Sequence, residues 1–161
     1  MKGIVFLGQH KLEIQEFEDP TPGPDEVILE IKASGMCGSD LKVYRAVEGP
    51  SSLGLGGEDK QVIAGHEPCG TIVELGKNVN KNNFKKDMNV MQHHYKGCGL
   101  CVHCSTGWQQ LCVDGVKEVY GVTGHGAHAE YMKCPADTLV KLREDISFKS
   151  GAAISCGTGT A

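Results

Sequence analysis

Apolar residues along the chain fall in short runs between turn residues, and where they alternate with polar ones the period is two. Val27, Leu29, Ile31 and Ala33 alternate strictly, which sends all four to one face of an extended strand. Ile4-Val5-Phe6-Leu7, Ile72-Val73-Glu74-Leu75, Val90-Met91 and Ala129-Glu130-Tyr131-Met132 read as further strands. The breakers of DPTPGPDE at 19–26 and 22 glycines fit many short strands joined by tight turns. Helical pattern is confined to two short pieces. One opens near Ser39 and runs through Leu41 and Tyr44; the other starts at Ser147, a good N-cap, and runs through Phe148, Ala152 and Ile154. No repeat, low-complexity tract or heptad pattern interrupts this, and Gly49 to Lys60 is the most loop-like stretch. The pattern predicts a mostly β domain, compatible with a barrel.

Composition narrows the partners. An apolar share of 40% over 161 residues fills an ordinary core, enough for one domain or one domain plus a fragment. A formal charge of −4 argues against a nucleic-acid binder, which needs a basic surplus gathered in a patch. The N-terminal apolar run of four residues before Gly8 is too short for a signal-peptide core or a membrane span. The expected compartment is therefore the cytoplasm, with no membrane association. Thiols stay reduced there, so closely spaced cysteines point to metal or redox chemistry rather than disulfides.

Half of the eight cysteines lie in one stretch of fifteen residues, CGLCVHCSTGWQQLC, at Cys98, Cys101, Cys104 and Cys112. Four thiolates close a tetrahedral shell around Zn²⁺ and leave no position for substrate, which makes such a site structural. Gly97, Gly99 and Gly107 allow the backbone to wrap tightly, and metal would replace a hydrophobic core in a loop poor in apolar anchors. An iron–sulfur cluster is the main rival, since the bacterial run C-x₂-C-x₂-C-x₃-C-P shares the first three cysteines. The longer gap to Cys112, with no proline after it, counts against that rival. A redox Cys-x-x-Cys pair and reduced buried thiols are further readings, and a zinc-ribbon nucleic-acid binder runs against the net charge. His103, inside the cluster, is expected to face solvent.

Three other stretches set a metal-ligand type beside glycine: GMCGSD at 35–40, AGHEPCG at 64–70 and ISCGTGTA at 154–161. Singly, each has a bland reading as a buried small thiol or a satisfied core histidine. Together they resemble the zinc-containing medium-chain dehydrogenase/reductase family, the zinc alcohol and polyol dehydrogenases. GHEPCGTIVELGKNV at 65–79 is similar to its G-H-E-x-x-G-x-V signature through Gly65, His66, Glu67, Gly70 and Gly76, with Ile72 for the first valine. CGSD at 37–40 matches the first catalytic-zinc stretch, residues 98–112 match the structural-zinc lobe, and the motif order holds along the whole chain.

The resemblance implies a GroES-like, partly open β-barrel over 1–161, with short helices and a structural-zinc lobe at about 93–115. It implies two Zn²⁺ per chain: a structural ion on Cys98, Cys101, Cys104 and Cys112, and a catalytic ion on Cys37, His66 and Cys156 with a fourth position open to water or substrate. Zinc would lower the pKa of a bound alcohol so that the alkoxide releases hydride to NAD or NADP. The implied reaction is the reversible oxidation of an alcohol or polyol to an aldehyde or ketone. Glu67 resembles the family's carboxylate near the metal, Ser39 the hydroxyl that takes the alcohol's proton, and Asp40 the carboxylate that orients the ligating histidine. Ser39 and Asp40 also have a plain reading as caps of the helix that follows them.

Several positions depart from the family pattern. Lys42 stands where many members carry the outer histidine of the proton path, and an ammonium is a poor shuttle at neutral pH, so water or another group completes the path. Gly38 lacks the side chain that some members turn toward the cofactor pyrophosphate. GAHAEYM at 126–132 resembles the family's G-G-[FY]-A-E-Y strand, and His128 is expected beside the barrel rather than on metal. His93 and His94 would point to opposite faces of a strand, one of them toward the cleft. Cys69 and Cys134 are expected to be core thiols. No G-x-G-x-x-G motif of the family's Rossmann domain occurs, and GTGTA at 157–161 resembles the start of a linking helix. The expectation is a chain that binds zinc and turns over alcohol poorly alone, with dimers or tetramers formed through the Rossmann part. The competing reading is a non-enzymatic zinc-binding GroES-like module.

Overall fold

A computed structural model describes residues 1–47 and 61–158 of the chain. The loop expected at Gly49 to Lys60 lies outside the described residues, as does the end of the GTGTA stretch. Strands dominate, in three antiparallel sheets. The main sheet orders five strands as β8 (Tyr131–Pro135), β3 (Glu26–Gly35), β4 (Glu67–Leu75), β5 (Asn89–Gln92) and β9 (Leu139–Lys141). It does not close on itself, in keeping with a partly open barrel. β1 (Lys2–Gly8) and β2 (Lys11–Glu16) form a hairpin, and β6 (Tyr95–Lys96) pairs with β7 (Glu118–Val119).

The core gathers Val27, Leu29, Ile72, Val90, Tyr120, Ala127, Met132, Cys134 and Leu139 on one side of the main sheet. Val27 and Leu29 are fully buried as the alternation requires, but Ile28 between them is buried too. The β3–β4 register shifts between Ile28 and Leu29, which breaks simple alternation there, and α3 (Phe148–Ala153) packs against both strands. Gly151 of α3 approaches Cys69 of β4 so closely that a Cβ there would lie 2.6 Å from Cys69 Sγ. Cys69 and Cys134 are both core thiols; burial pushes Cys69 up to about 11 and raises Cys134 as well.

Both expected helices form. The first is α1 (Gly38–Arg45), with Cys37 rather than Ser39 at its N-cap. The second is α3, where Ser147 Oγ accepts the Ser150 N–H at 3.1 Å. It stops at Ala153, and Ile154–Thr158 continues as a π-turn. That turn is tied down by Ser155, whose hydroxyl donates back to Ala152 O at 2.8 Å.

Candidate metal centre

Two groups of metal-ligating side chains occur among the described residues, and each has its donor atoms within 4.8 Å of one another. The first, Cys98, Cys101, Cys104 and Cys112, comes from one loop between β6 and β7. A short helix α2 (Val102–Ser105) presents Cys104 inward while Leu100, Val102, Trp108, Leu111 and Val113 stay exposed. This lobe has almost no apolar interior, so its folding needs another source of free energy. N–H groups already point at sulfur: Cys98 N–H to Cys112 Sγ at 3.3 Å, Leu100 and Cys101 N–H to Cys98 Sγ at 3.4 and 3.3 Å. A Cβ on Gly97 would run into Cys104 Sγ. The neighbouring N–H groups of Cys104 and Val113 draw Cys101 down to about 6, while burial pushes Cys104 up to about 12. None of the eight cysteines is in a disulfide, and four sulfurs at this spacing fit the shell of a tetrahedral zinc ion. His103 is half-buried rather than solvent-facing and takes no part in the sulfur group.

The second group, Cys37, His66, Glu67 and Cys156, is assembled from separate elements. Antiparallel pairing sets Gly35, at the end of β3, opposite Glu67, at the start of β4. Cys37 therefore follows one strand end and His66 precedes the other, side by side. The π-turn after α3 brings Cys156 to the same point, and Glu67 Oε1 accepts the Gly157 N–H at 2.9 Å. A Cβ on Gly35 would strike Glu67 Oε2, so the buried carboxylate depends on glycine there. Gly65 at φ +90° turns the chain into His66 in the left-handed region, and a side chain at Gly65 would meet the His128 ring.

Asp40 organises this group from within α1. Its Oδ2 accepts the Cys37 N–H at 2.8 Å, and its Oδ1 lies 3.1 Å from His66 Nδ1. Asp40 thus takes part in capping α1 and also contacts the His66 ring. Ser39 Oγ sits 3.2 Å from His66 Nε2. Burial works against a charged His66, yet the hydrogen bond and charge of Asp40, with Cys37 beside it, hold its pKa at about 9. Burial also works to raise Asp40, and the His66 ring with the Cys37 N–H more than reverses it, leaving Asp40 below its ordinary value. The Ser39 N–H and hydroxyl, then His66, lower Cys37 to about 7. This is a pre-formed acid–thiolate arrangement with donors of the Cys, His and carboxylate types that suit zinc.

A cleft of about 350 Å³ opens beside it, lined by Ser39, Lys42, Val43 and His66 and, across from them, His94, Tyr95, Val119 and Val122. His94 does not sit in a strand opposite His93: the chain bends after β5, so both rings lie near each other, with centroids 5.8 Å apart. His93 bonds Gln110 at 3.2 Å, while His94 faces the cleft, and burial with the nearby His66 pushes its pKa down to about 4. His128 stays off the metal group: its Nδ1 is 2.8 Å from Ser34 Oγ and its ring packs edge-on to Phe6. A Cβ at Gly38 would meet nothing within 4 Å. Sequence reasoning missed the valines of the cleft wall, Val43 from α1, Val119 from β7 and Val122 from the turn after it, which carry no motif.

Residues 23–144 match the alcohol dehydrogenase GroES-like domain family. The chain is 36% identical over its whole length to the uncharacterized zinc-type alcohol dehydrogenase-like protein YphC of Escherichia coli (strain K12), covering 45% of that protein. It is 34% identical to an alcohol dehydrogenase of Geobacillus stearothermophilus over 95% of this chain and 42% of that one. The structure of a cobalt- and zinc-bound thermostable alcohol dehydrogenase from Pyrobaculum aerophilum superimposes with a TM-score of 0.80 at 28% identity, covering 98% of this chain and 45% of that one. The fold and the ligand clusters define a GroES-like domain of dehydrogenase type. The chain belongs to the zinc-type alcohol dehydrogenases of the medium-chain dehydrogenase/reductase family, and it spans under half the length of these relatives.

Proposed function

We propose that the chain is the substrate-side, zinc-binding part of an NAD(P)-linked alcohol dehydrogenase that interconverts an alcohol or polyol with its aldehyde or ketone. The convergence of Cys37, His66 and Cys156 beside the cleft carries this reading, because these residues come from separate elements and bring metal-ligand atoms together at one point. They would hold a catalytic zinc ion, with Glu67 adjacent, and Cys98, Cys101, Cys104 and Cys112 a structural one. Zinc supplies Lewis acidity toward the alcohol oxygen when bound. The remaining chemistry belongs to the chain. Asp40 keeps the His66 proton on Nδ1, which leaves Nε2 free as a ligand. Ser39, exposed at the cleft, accepts the alcohol's proton and passes it toward solvent past Lys42, one helical turn away. Val43, Val119 and Val122 exclude water from the carbon that loses hydride.

Elemental analysis of the chain purified without added metal tests this directly. Two zinc ions per chain, falling to one in Cys37→Ser, are expected. One ion in both would leave only the sulfur lobe occupied and refute the catalytic site.

A further inference from the structure

His94 is a cleft residue to which the proposed reaction gives no task. It is only 9% exposed, yet it lines the cleft. Its ring packs edge-on to His66 with centroids 4.9 Å apart and leans on Tyr95 at 4.4 Å. Its backbone carbonyl accepts the Tyr120 N–H at 2.9 Å, which fixes the bend that carries it. Nδ1 is shut away from solvent with no partner, and no hydrogen bond among the described residues reaches Nε2.

A wall required only to be apolar gains nothing from an imidazole, whose burial without partners is costly. Val43, Val119 and Val122 already supply the apolar surface. With Nδ1 turned into the protein, Nε2 is the nitrogen that the ring offers to the cleft. A neutral imidazole has one donor and one acceptor, and an orphaned N–H is the rarer burden in a protein interior. The proton therefore belongs on Nε2, where an entering oxygen can accept it. Because the ring lies directly against His66, that oxygen sits close to the one held at the metal group.

We propose that His94 recognises a second hydroxyl on the carbon next to the reacting carbinol, so that the cleft selects vicinal diols and polyols over simple alkanols. The inference rests on the zinc-site reading above, whose failure can be told apart from its own. The wall then has two parts: the valines take the carbon skeleton, and His94 takes the neighbouring oxygen.

The test titrates the zinc-loaded chain with 1-propanol and with 1,2-propanediol, following the imidazole nitrogen resonances of His66 and His94 by NMR. The diol is expected to bind roughly 3- to 10-fold more tightly than 1-propanol, the range of one neutral hydrogen bond, and to shift His94 Nε2. That ratio is expected to fall to about 1 in His94→Phe and to be partly restored in His94→Asn, which keeps a donor. Zinc content and circular dichroism show whether each variant is folded. Equal binding of the two probes by the wild type, or a preference that survives in His94→Phe, overturns the role of His94 while leaving the zinc site intact. Binding of neither probe, or binding that persists in Cys37→Ser, overturns the zinc-site reading and this inference with it.

Discussion

Replacing Asp40 with asparagine separates what the carboxylate does electrically from what its shape does. The carboxylate accepts from two donors at once, the Cys37 N–H at 2.8 Å and His66 Nδ1 at 3.1 Å, and it is only 4% exposed. An amide of the same shape has one accepting oxygen. If that oxygen serves Cys37, the NH₂ faces Nδ1, which must then become the acceptor, and the imidazole proton moves to Nε2. Nε2 is the atom the metal group needs bare. Loss of such an orienting contact typically costs about 10- to 100-fold in metal affinity, or about 1.4 to 2.8 kcal/mol. The metal-free chain also loses a charged hydrogen bond in a buried place, about 1.5 to 3 kcal/mol of folding stability. Chelator competition on the more weakly held zinc equivalent, assigned with Cys37→Ser, measures the first number, and urea unfolding of stripped protein measures the second. Zinc affinity of Asp40→Asn within about threefold of wild type would show that Asp40 does not set the His66 tautomer.

Gly97→Ala should abolish zinc in the sulfur lobe and leave the cleft-side ion in place, read as one zinc per chain, because the added methyl collides with Cys104 Sγ. Gly38→Ala should raise stability by about 0.5 to 1 kcal/mol, since a Cβ there meets nothing within 4 Å and glycine is a poor helix former; a lower urea midpoint would contradict this. For the stripped chain, His66 at about 9 contributes stability that is complete below its unfolded value near 6.5 and is lost as pH rises through 9. Cys37, at about 7, contributes above its unfolded value near 9 and loses that as pH falls through 7. The two contributions therefore exchange across the pH 7 to 9 window and largely offset each other, so the melting temperature should change little there. In His66→Gln only the Cys37 part remains, still lowered chiefly by Ser39, and the melting temperature should then rise from pH 7 to 9, whereas a flat profile in that variant would refute the assignment.

The parts of this molecule that were legible in the sequence share one property: their signal lies within a few neighbouring residues. The strand at Val27 to Ala33 showed its period, Ser147 its cap, and the lobe its four cysteines. The GHE stretch was legible for a different reason, since it carries a family motif. What the sequence did not disclose comes from pairing and packing. Ile28 reads as a solvent-side residue, yet it is buried where the β3–β4 register shifts. The cap of α1 falls on Cys37 because Asp40 reaches back to its N–H, a choice between neighbouring polar residues that spacing does not decide. His93 and His94 read as opposite faces of a strand, and the bend after β5 overturns that. The valines of the cleft wall have no local signature at all.

The two metal groups differ in the same way, and the difference bears on how the chain works. The four sulfurs of the lobe lie within fifteen residues and are braced by N–H groups of their own loop, so that group needs little beyond local chain. The cleft-side group exists only when β3 and β4 are in register and α3 has packed on both, because those contacts bring Cys37, His66 and Cys156 together. Its geometry is thus a readout of the whole sheet. A reaction that depends on tenths of an ångström gains from such a frame, since small strains in a loop do not reach it. The lobe, in contrast, has no apolar interior to hold it, and its exposed Leu100, Val102 and Trp108 leave the sulfur cluster as its main source of order. One group lies within a single loop and the other depends on the whole sheet, so the proposed division into a structural and a catalytic ion rests on where the ligands come from as well as on which residues they are.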